Sequence, residues 1–383
     1  MKILMISMFS SHFFNWTEQL KDSGHEIYWL DVFDSNTRVK KIDFVHQIIG
    51  WRYKFNFPGR YLIKNKFPLL NSLINRFNER KLEVVFNKKL AEIKPDVVHS
   101  FVMFSGCVPI YKVMKNFPNL KWIYSSWGSD LFCYRNQPKH LKDMNLVFPD
   151  LDFMFSDCHR DYLLAIEHGF KGEFMGVFPG SGGVDFIKSN PLSSSFEKRN
   201  TILVKGYQSE LGRCIPVLEA IFNLKKELKN YKIIVFGADK EVVAFLANSE
   251  LISWDNLIIL KKIPELEVIK LMGESLIYLG NSISDGMPNT LLEAIVMGAF
   301  PIQSNPGGAT EEIIVNGKNG LLIENPENVD EIRDLIQKAI SDKESLKRGI
   351  EYNFKNIKPQ LERETVKKQV LKKYRLIEKN LKK

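Results

Sequence analysis

The sequence contains few cysteines and no long uninterrupted apolar run. Its four cysteines stand far apart in 383 residues, and no two of them have the spacing of metal ligands. Such sparse cysteines exclude a disulfide-rich secreted scaffold and favour a reducing compartment. No stretch approaches the roughly 18 consecutive apolar residues that a membrane-spanning helix requires. We therefore expect a cytoplasmic protein without a structural metal, either soluble or peripheral at the inner face of a membrane.

The chain is longer than a domain built around a single hydrophobic core usually is. At about 150 residues per domain, 383 residues predict two domains. Short apolar runs alternate with longer amphipathic stretches, which is typical of parallel sheets with crossover helices. We expect the first run, 3–8, to be a buried strand rather than part of a signal peptide. Glycine, proline and serine accumulate over 178–195 and predict a linker, so the expected domains are 1–180 and 196–355, followed by a basic helix over 356–383.

The most informative segment covers residues 282–302. A strand ends near Gly280, a loop follows, and a helix begins at about Pro288 to Thr290 because proline suits a first helical turn. The free amides at such a helix start, together with the helix dipole, bind phosphate groups. Glu293 interrupts an otherwise apolar run, and a buried carboxylate needs a hydrogen-bonding partner such as a ribose diol. Alternatively, Asp285 caps the loop or helix and Glu293 faces water.

This segment resembles the signature of glycosyltransferase family 4. In that signature two acidic residues lie eight positions apart, ahead of a small-residue helix that ends in glycine; here they are Asp285 and Glu293. The resemblance implies that Glu293 holds the ribose hydroxyls, that Asp285 contacts the transferred sugar, and that amides of 287–291 meet the diphosphate. The family usually has glutamate where this chain has Asp285. The donor site implied by the resemblance also includes Gly286, Met287, Pro288, Asn289, Thr290, Leu291, Gly237, Ile263 and Pro264.

Two cations are candidates for stabilising the departing diphosphate. The family usually supplies an arginine and a lysine just after the first strand of the C-terminal domain, and the matching residues here are Lys205 and Arg213, in reversed order. Cationic side chains placed where charge develops would offset the charge of the leaving group. Alternatively, either residue is an ordinary surface cation.

The N-terminal half carries a second resemblance, at Trp127-Gly128-Ser129-Asp130, to a family motif that often has histidine where Trp127 stands. Gly128 would let the backbone approach the sugar, whereas Asp130 either contributes to the site or caps the next helix. The loop after the first strand lacks the paired glycines common in the family. Its candidates for the acceptor or sugar side are Ser10, Ser11 and His12.

Positive charge is concentrated between residues 38 and 89. This segment has 13 Lys and Arg against three acidic residues. Its aromatic residues are Phe44, Trp51, Tyr53, Phe55, Phe57, Tyr61, Phe67, Phe77 and Phe86. Cations interleaved with aromatics suit an anionic membrane surface, where a lipid-linked acceptor would be met. RNA binding, or a solvated basic face with its aromatics packed inward, are the alternatives, and we expect no nucleic acid partner.

Across nearly the full length, the resemblance implies an α/β protein of the GT-B fold. Two doubly wound Rossmann-like domains would face each other across a cleft, the first binding the acceptor and the second the nucleotide sugar, with the C-terminal helix crossing back to the first domain. The implied activity is a retaining sugar transfer from a nucleotide-diphosphate donor to a glycan or lipid-linked acceptor, in bacterial surface polysaccharide biosynthesis, without a metal or other cofactor. A sugar-nucleotide epimerase and a non-catalytic partner subunit of the same fold are the alternatives.

Overall fold

The computed structural model describes residues 1–55, 57–58, 60–186 and 192–382. The N-terminal half forms one parallel sheet of seven strands. These strands are β1 (Lys2–Ser7), β2 (Glu26–Asp31), β3 (His46–Ile48), β4 (Val97–Phe101), β5 (Lys121–Ser125), β6 (Phe153–Ser156) and β7 (Glu173–Val177). The helices of this half are α1 (Ser11–Glu18), α2 (Arg60–Lys66), α3 (Pro68–Asn78), α4 (Leu82–Ile93), α5 (Tyr111–Met114), α6 (Pro138–Val147) and α7 (His159–Glu167).

The C-terminal half forms a second parallel sheet, of six strands. They are β8 (Thr201–Lys205), β9 (Lys232–Phe236), β10 (Leu257–Ile259), β11 (Ser275–Gly280), β12 (Phe300–Ser304) and β13 (Leu321–Ile323). The helices are α8 (Cys214–Asn223), α9 (Lys240–Ala247), α10 (Glu265–Glu274), α11 (Asn289–Met297), α12 (Val329–Ser341), α13 (Lys343–Tyr352), α14 (Lys358–Leu361) and α15 (Arg363–Leu381).

The strand orders place a topological switch point in the middle of each sheet. The orders are β3-β2-β1-β4-β5-β6-β7 and β10-β9-β8-β11-β12-β13, so the chain changes direction between β1 and β4 and again between β8 and β11. Ligands of open α/β sheets bind at the carboxyl ends of strands at such points. The two doubly wound domains predicted from the alternating pattern are therefore confirmed, and their topology directs attention to the loops after β1, β8 and β11.

The last helix, α15, packs on the N-terminal sheet rather than on the domain that precedes it. Its Val370 and Tyr374 are fully buried in one apolar cluster with Met5 and Trp16 of the first domain. The hydroxyl of Tyr374 accepts a hydrogen bond from Trp16 Nε1 (3.2 Å) and lies 2.7 Å from Nδ1 of the buried His99. These contacts confirm that the C-terminal helix crosses back to the first domain.

The segment between the two sheets runs from the end of β7 to the start of β8. Part of the linker predicted there, including Asn190 and Pro191, lies outside the described residues. All four cysteines fall within the described part of the chain and are free thiols. Among the helices that the structure describes, none combines the length and the apolarity needed to cross a membrane.

Candidate active site

The helix α11 begins at the carboxyl edge of the second sheet. Pro288 is its N-cap residue, with φ −65°, and Gly298 ends it in the left-handed region at φ 84°. Asn289 and Thr290 are its first residues, so their N–H groups have no acceptor within the helix. The N–H of Leu291, in contrast, donates to the carbonyl of Pro288 (3.0 Å). The helix thus presents its first amides, but not that of Leu291, to the loop side of the sheet.

This helix start opens onto a cavity of about 660 Å³ between the two domains. Such a volume suits a small-molecule ligand. The cavity is lined by residues of both domains, among them Ser11, His12, Asn15, Ser181, Tyr207, Gly237, Lys262, Ile263, Glu265, Asn289, Thr290 and Glu293. Gly237 has φ +64°, and a Cβ there would lie 3.1 Å from the ring of Tyr207, so both the backbone conformation and the space favour glycine.

Glu293 points into this cavity from α11. Burial, followed by the nearby Glu265, raises the pKa of Glu293 to about 8. Among the residues that the structure describes, none forms a hydrogen bond with its carboxyl group. The side chain is half-buried, and removing a carboxyl group from water costs free energy unless a partner satisfies it. The carboxyl is therefore placed to receive hydroxyl groups of a ligand.

The two domains touch at the rim of the cavity. Nδ2 of Asn289 donates a hydrogen bond of 2.8 Å to Nδ1 of His12, which follows β1 in the first domain. Burial lowers the pKa of His12, which keeps this ring neutral and able to accept. The predicted candidates Ser10, Ser11 and His12 all line cavities at this interface.

A second cavity, of about 350 Å³, adjoins the first and shares His12, Tyr207, Asn289 and Thr290 with it. Its other walls include Ser10, Trp127, Gly128, Asp157, Lys205, Asp285, Met287 and Pro288. Nζ of Lys205 lies 3.9 Å from Oδ2 of Asp285, and the N–H of Gly286 donates to Oδ1 of Asp285 (3.0 Å). A carboxylate and an ammonium group thus stand side by side in this cavity.

The motif at Trp127 and Gly128 reaches the same cavity from the first domain. Gly128 has φ +59°, and a Cβ there would lie 3.6 Å from Oδ1 of Asp285 across the cleft. Its N–H donates to Oδ2 of Asp157 (2.7 Å). The indole of Trp127 lies 4.7 Å from the ring of Phe101, between ring centres. The two resembling segments, far apart in the sequence, therefore meet at one site.

The structure does not bring Arg213 to this site. Its guanidinium group pairs with the carboxylate of Glu327 and donates to the carbonyl of Gly212 (2.6 Å), and Arg213 lines neither cavity. The expected pairing of Lys205 and Arg213 is therefore corrected: only Lys205 faces the cleft. The physical reason is that Glu327, brought in by the loop before α12, provides an opposite charge on the other side of Arg213.

Two residues expected in the donor site have other surroundings. Leu291 is fully buried in the core of the second domain, and its amide is used within the helix. Pro264 is the N-cap residue of α10 and does not line the cavity, although its neighbour Ile263 does. These two assignments are corrected. Gly286 also lies outside the walls of both cavities and instead packs against Asp157.

Asp130 supports the backbone rather than the acceptor side. Its carboxylate accepts hydrogen bonds from the N–H of Met103 (2.8 Å to Oδ2) and from the hydroxyl of Tyr124. Burial raises the pKa of Asp130 to about 7. The side chain thus holds the turn after β4, and the expectation that it faces the sugar is corrected.

Asp157 is the site residue that sequence reasoning missed. It follows β6, is 4% exposed, and its Oδ1 has no hydrogen-bond partner among the described residues. Burial, and next the nearby Asp161, raise the pKa of Asp157 well above its ordinary range. The only signal in the sequence is an acidic residue at the end of a strand, which is too common to single it out.

Ligand atoms of Asp157, Cys158 and Asp161 lie within 4.8 Å of one another, which is the arrangement a metal ion could use. A positive charge is already present beside them, because Nη2 of Arg160 lies 2.7 Å from Oδ1 of Asp161. Nη1 of Arg160 also donates to the carbonyl of Asp285 (2.8 Å). The arginine therefore connects this acidic group with the loop that carries Asp285.

The chain is similar to proteins of known family and fold. Residues 189–356 match the family model described as glycosyl transferases group 1. No curated protein matches the chain.

Solved structures of similar fold cover nearly the whole chain. Sucrose-phosphate synthase from Thermosynechococcus elongatus has a TM-score of 0.72 and 12% identity, with 98% of each chain covered. HepE of Anabaena in complex with UDP-glucose has a TM-score of 0.71 and 12% identity over 98% of this chain and 99% of that chain. A glycosyltransferase from Rickettsia africae has a TM-score of 0.68 and 16% identity, with 99% of each chain covered. Residues 189–356 are thus similar to the group 1 glycosyl transferases, and the whole chain has the GT-B fold.

Proposed function

We propose that the protein is a retaining transferase like those of family 4, moving a sugar from a nucleotide-diphosphate donor to a glycan or lipid-linked acceptor. The observation that carries this proposal is the half-buried carboxyl group of Glu293, which borders the larger interdomain cavity and has no hydrogen-bond partner among the described residues. In this proposal the two ribose hydroxyls of the donor satisfy that carboxyl group.

The larger cavity would hold the nucleotide part of the donor. Its diphosphate would lie at the start of α11, where the first amides and the helix dipole favour negative charge. Its base would lie between Gly237 and Ile263, which line the same cavity. Because HepE of the same fold was solved with UDP-glucose, a UDP-sugar is the first donor to test.

The smaller cavity would hold the transferred sugar. The bond between its anomeric carbon and the phosphate oxygen breaks, and a bond to the acceptor oxygen forms on the same face. The proton of the acceptor hydroxyl passes to the leaving phosphate, whose developing charge Lys205 offsets. Asp285 would accept hydrogen bonds from hydroxyls of this sugar, since its carboxylate borders the cavity beside Lys205.

We further propose a place for this reaction in the cytoplasm, at the inner face of the membrane, in the assembly of a bacterial surface polysaccharide. The basic segment 38–89 supports a membrane-associated acceptor through its excess of positive charge. The acceptor would enter from the side of Trp127 and Gly128, which border the smaller cavity.

The test combines donor binding with one conservative substitution. A thermal-shift panel of UDP-, GDP- and ADP-sugars should show stabilisation by one nucleotide class, by about 2.7 kcal/mol at a hundredfold excess over Kd. Measured above pH 8, where the carboxyl group is ionised, Glu293→Gln should weaken binding of that donor about tenfold to a hundredfold, because a hydrogen bond to a charged group contributes about 1.5–3 kcal/mol. Glu267→Gln, an exposed position on neighbouring α10, is the matched control and should bind as the wild type does.

Three outcomes would contradict the proposal. Unchanged donor binding and turnover in Glu293→Gln would remove this carboxyl group from the site. Conversion of the donor sugar in the absence of any acceptor would indicate an epimerase. Failure to bind any nucleotide diphosphate would indicate a non-catalytic partner subunit.

A further inference from the structure

The helix α3 turns its apolar face outward and its polar face toward the protein. Leu69 is 87% exposed and Phe77 70% exposed, and Leu70 and Leu73 are exposed as well. At 100° per residue these four side chains lie within an arc of about 100°. A helix packed on the surface of a globular protein has the opposite arrangement, with its apolar stripe toward the core.

Asparagines occupy the opposite side of α3. Asn71 and Asn75 are half-buried and Asn78 is buried, and their positions fall within an arc of about 60° on the side away from the leucines. The polar stripe therefore faces the body of the protein. The leucine face is left without a partner among the described residues of the chain.

Hydrogen bonds at the base of the α2–α3 hairpin hold this orientation. The side-chain amide of Asn78 donates to the carbonyl of Phe55 (2.8 Å) and accepts from the N–H of Phe55 (2.8 Å). The N–H groups of Lys54 and Arg80 donate to the carbonyls of Asn78 (2.8 Å) and Arg52 (2.7 Å). Rolling the helix to bury its leucines would break the contacts of Asn78. The outward apolar face is thus built into the fold.

Positive charge surrounds this face. The hairpin lies within the segment 38–89, which has 13 Lys and Arg against three acidic residues, and Lys66 and Arg76 are exposed beside the leucines. Among the aromatic residues of the segment, Trp51 and Phe86 are buried, whereas Phe55, Phe67 and Phe77 are exposed; Tyr61 lies outside the described side chains. Packing of all the aromatics inward, one of the alternatives for this segment, is therefore wrong.

A partner must match both the leucines and the surrounding cations. A second copy of this chain would bring like charge against like charge, and RNA bases stack on aromatic rings rather than on a row of leucines. The interface of an anionic bilayer matches both features. Its acyl chains can contact the leucines, and its phosphate groups can contact the surrounding cations. With 11 residues, α3 is about 16 Å long, which suits a helix lying in the plane of the interface rather than crossing it.

We propose that the α2–α3 hairpin is a membrane anchor that inserts the face formed by Leu69, Leu70, Leu73 and Phe77 into an anionic phospholipid bilayer. One consequence of this inference rests on the proposed function: the enzyme would meet its lipid-linked acceptor at the membrane surface to which it is bound. The anchor itself depends on the orientation of α3 and the distribution of charge around it.

Vesicle sedimentation tests the anchor with the full-length protein. The wild type should bind vesicles of mixed phosphatidylglycerol and phosphatidylcholine at low salt. Its binding to vesicles of pure phosphatidylcholine should be weaker by about tenfold or more. Leu69→Ser combined with Leu73→Ser and Phe77→Ser should weaken binding to the anionic vesicles about tenfold or more. Ile252→Ser, at a 56% exposed position of the second domain, is the matched control and should bind like the wild type. Lys66→Gln with Arg76→Gln should weaken binding at low salt and remove part of its salt dependence.

The outcomes separate this inference from the proposed function. Equal binding of the triple variant and the wild type, or equal binding of the wild type to neutral and anionic vesicles, would overturn the anchor. A concentration-dependent dimer that the triple substitution abolishes, without vesicle binding, would assign the face to a second copy and also overturn it. The triple variant should keep the donor-induced thermal shift of the wild type, which shows that its fold is intact. Vesicle binding without any donor-induced shift would leave the anchor standing and reject the proposed function.

Discussion

A Cβ atom on Gly286 would lie 2.4 Å from Oδ1 of Asp157, so the loop before α11 and the end of β6 meet with no space for a side chain. The two residues belong to different domains. Their contact therefore sets how closely the two halves of the cleft approach each other, directly beside Asp285 and Gly128.

Gly286→Ala should separate these two elements. We expect a loss of about 1–3 kcal/mol in the free energy of unfolding, the usual cost of adding a methyl group where there is no room, together with lower turnover. Thermal unfolding and steady-state kinetics measure both effects. In an Asp157→Ala background the stability cost of Gly286→Ala should be smaller, because the carboxylate that it meets is gone. An equal cost in both backgrounds would show that this contact is not the cause.

Lys205 and Arg213 should respond differently to removal. Lys205→Ala should lower turnover about 100- to 1000-fold, as expected when a group that stabilises developing charge is lost. Arg213→Ala should affect thermal stability rather than the chemical step, because its partner is Glu327 and not a group in the cleft. Steady-state kinetics of both variants provide the comparison. A larger loss of turnover in Arg213→Ala than in Lys205→Ala would contradict this prediction. It would show that Arg213, and not Lys205, is the cation that acts on the diphosphate.

The stability of the unliganded protein should depend on pH through Glu293. Burial raises its pKa to about 8 from an ordinary value of 4.5, so the folded protein keeps a proton there that the unfolded chain releases at lower pH. The stability contributed by this group is therefore complete below about pH 4.5 and is lost as the pH rises towards 8. Denaturant unfolding from pH 5 to 8.5 should show the wild type losing stability relative to Glu293→Gln. Parallel curves for the two proteins would contradict the raised pKa; Asp130 and Asp157 contribute equally to both curves.

Much of the part of the cleft formed by α11 could be predicted from local patterns. The start of α11 directly after Pro288 depends on the fixed φ of proline, and its end at Gly298 depends on a left-handed residue; both effects act within a few positions of the chain. Glu293 stood out because it interrupts an apolar run. Its orientation into the cleft follows from helical periodicity once the rest of α11 is buried.

The assignments that failed depended on contacts between distant segments. Arg213 is as basic as Lys205, and only the loop carrying Glu327 determines that it faces elsewhere. Asp130 and Asp157 both follow strands of the first sheet, yet one holds the turn at Met103 and the other borders the cleft beside Gly286. The two members of each pair carry charge of the same sign, so no local pattern distinguishes their roles.

The sequence by itself determined the alternation of strands and helices, the two-sheet fold and the loop and helix start around Asp285, because these follow from periodicity and from backbone preferences of neighbouring residues. Only the tertiary structure decided which charged groups face the cleft and which face of α3 is turned outward. Those outcomes depend on hydrogen bonds such as the one between Asn78 and Phe55, whose partners approach each other only when the chain is folded.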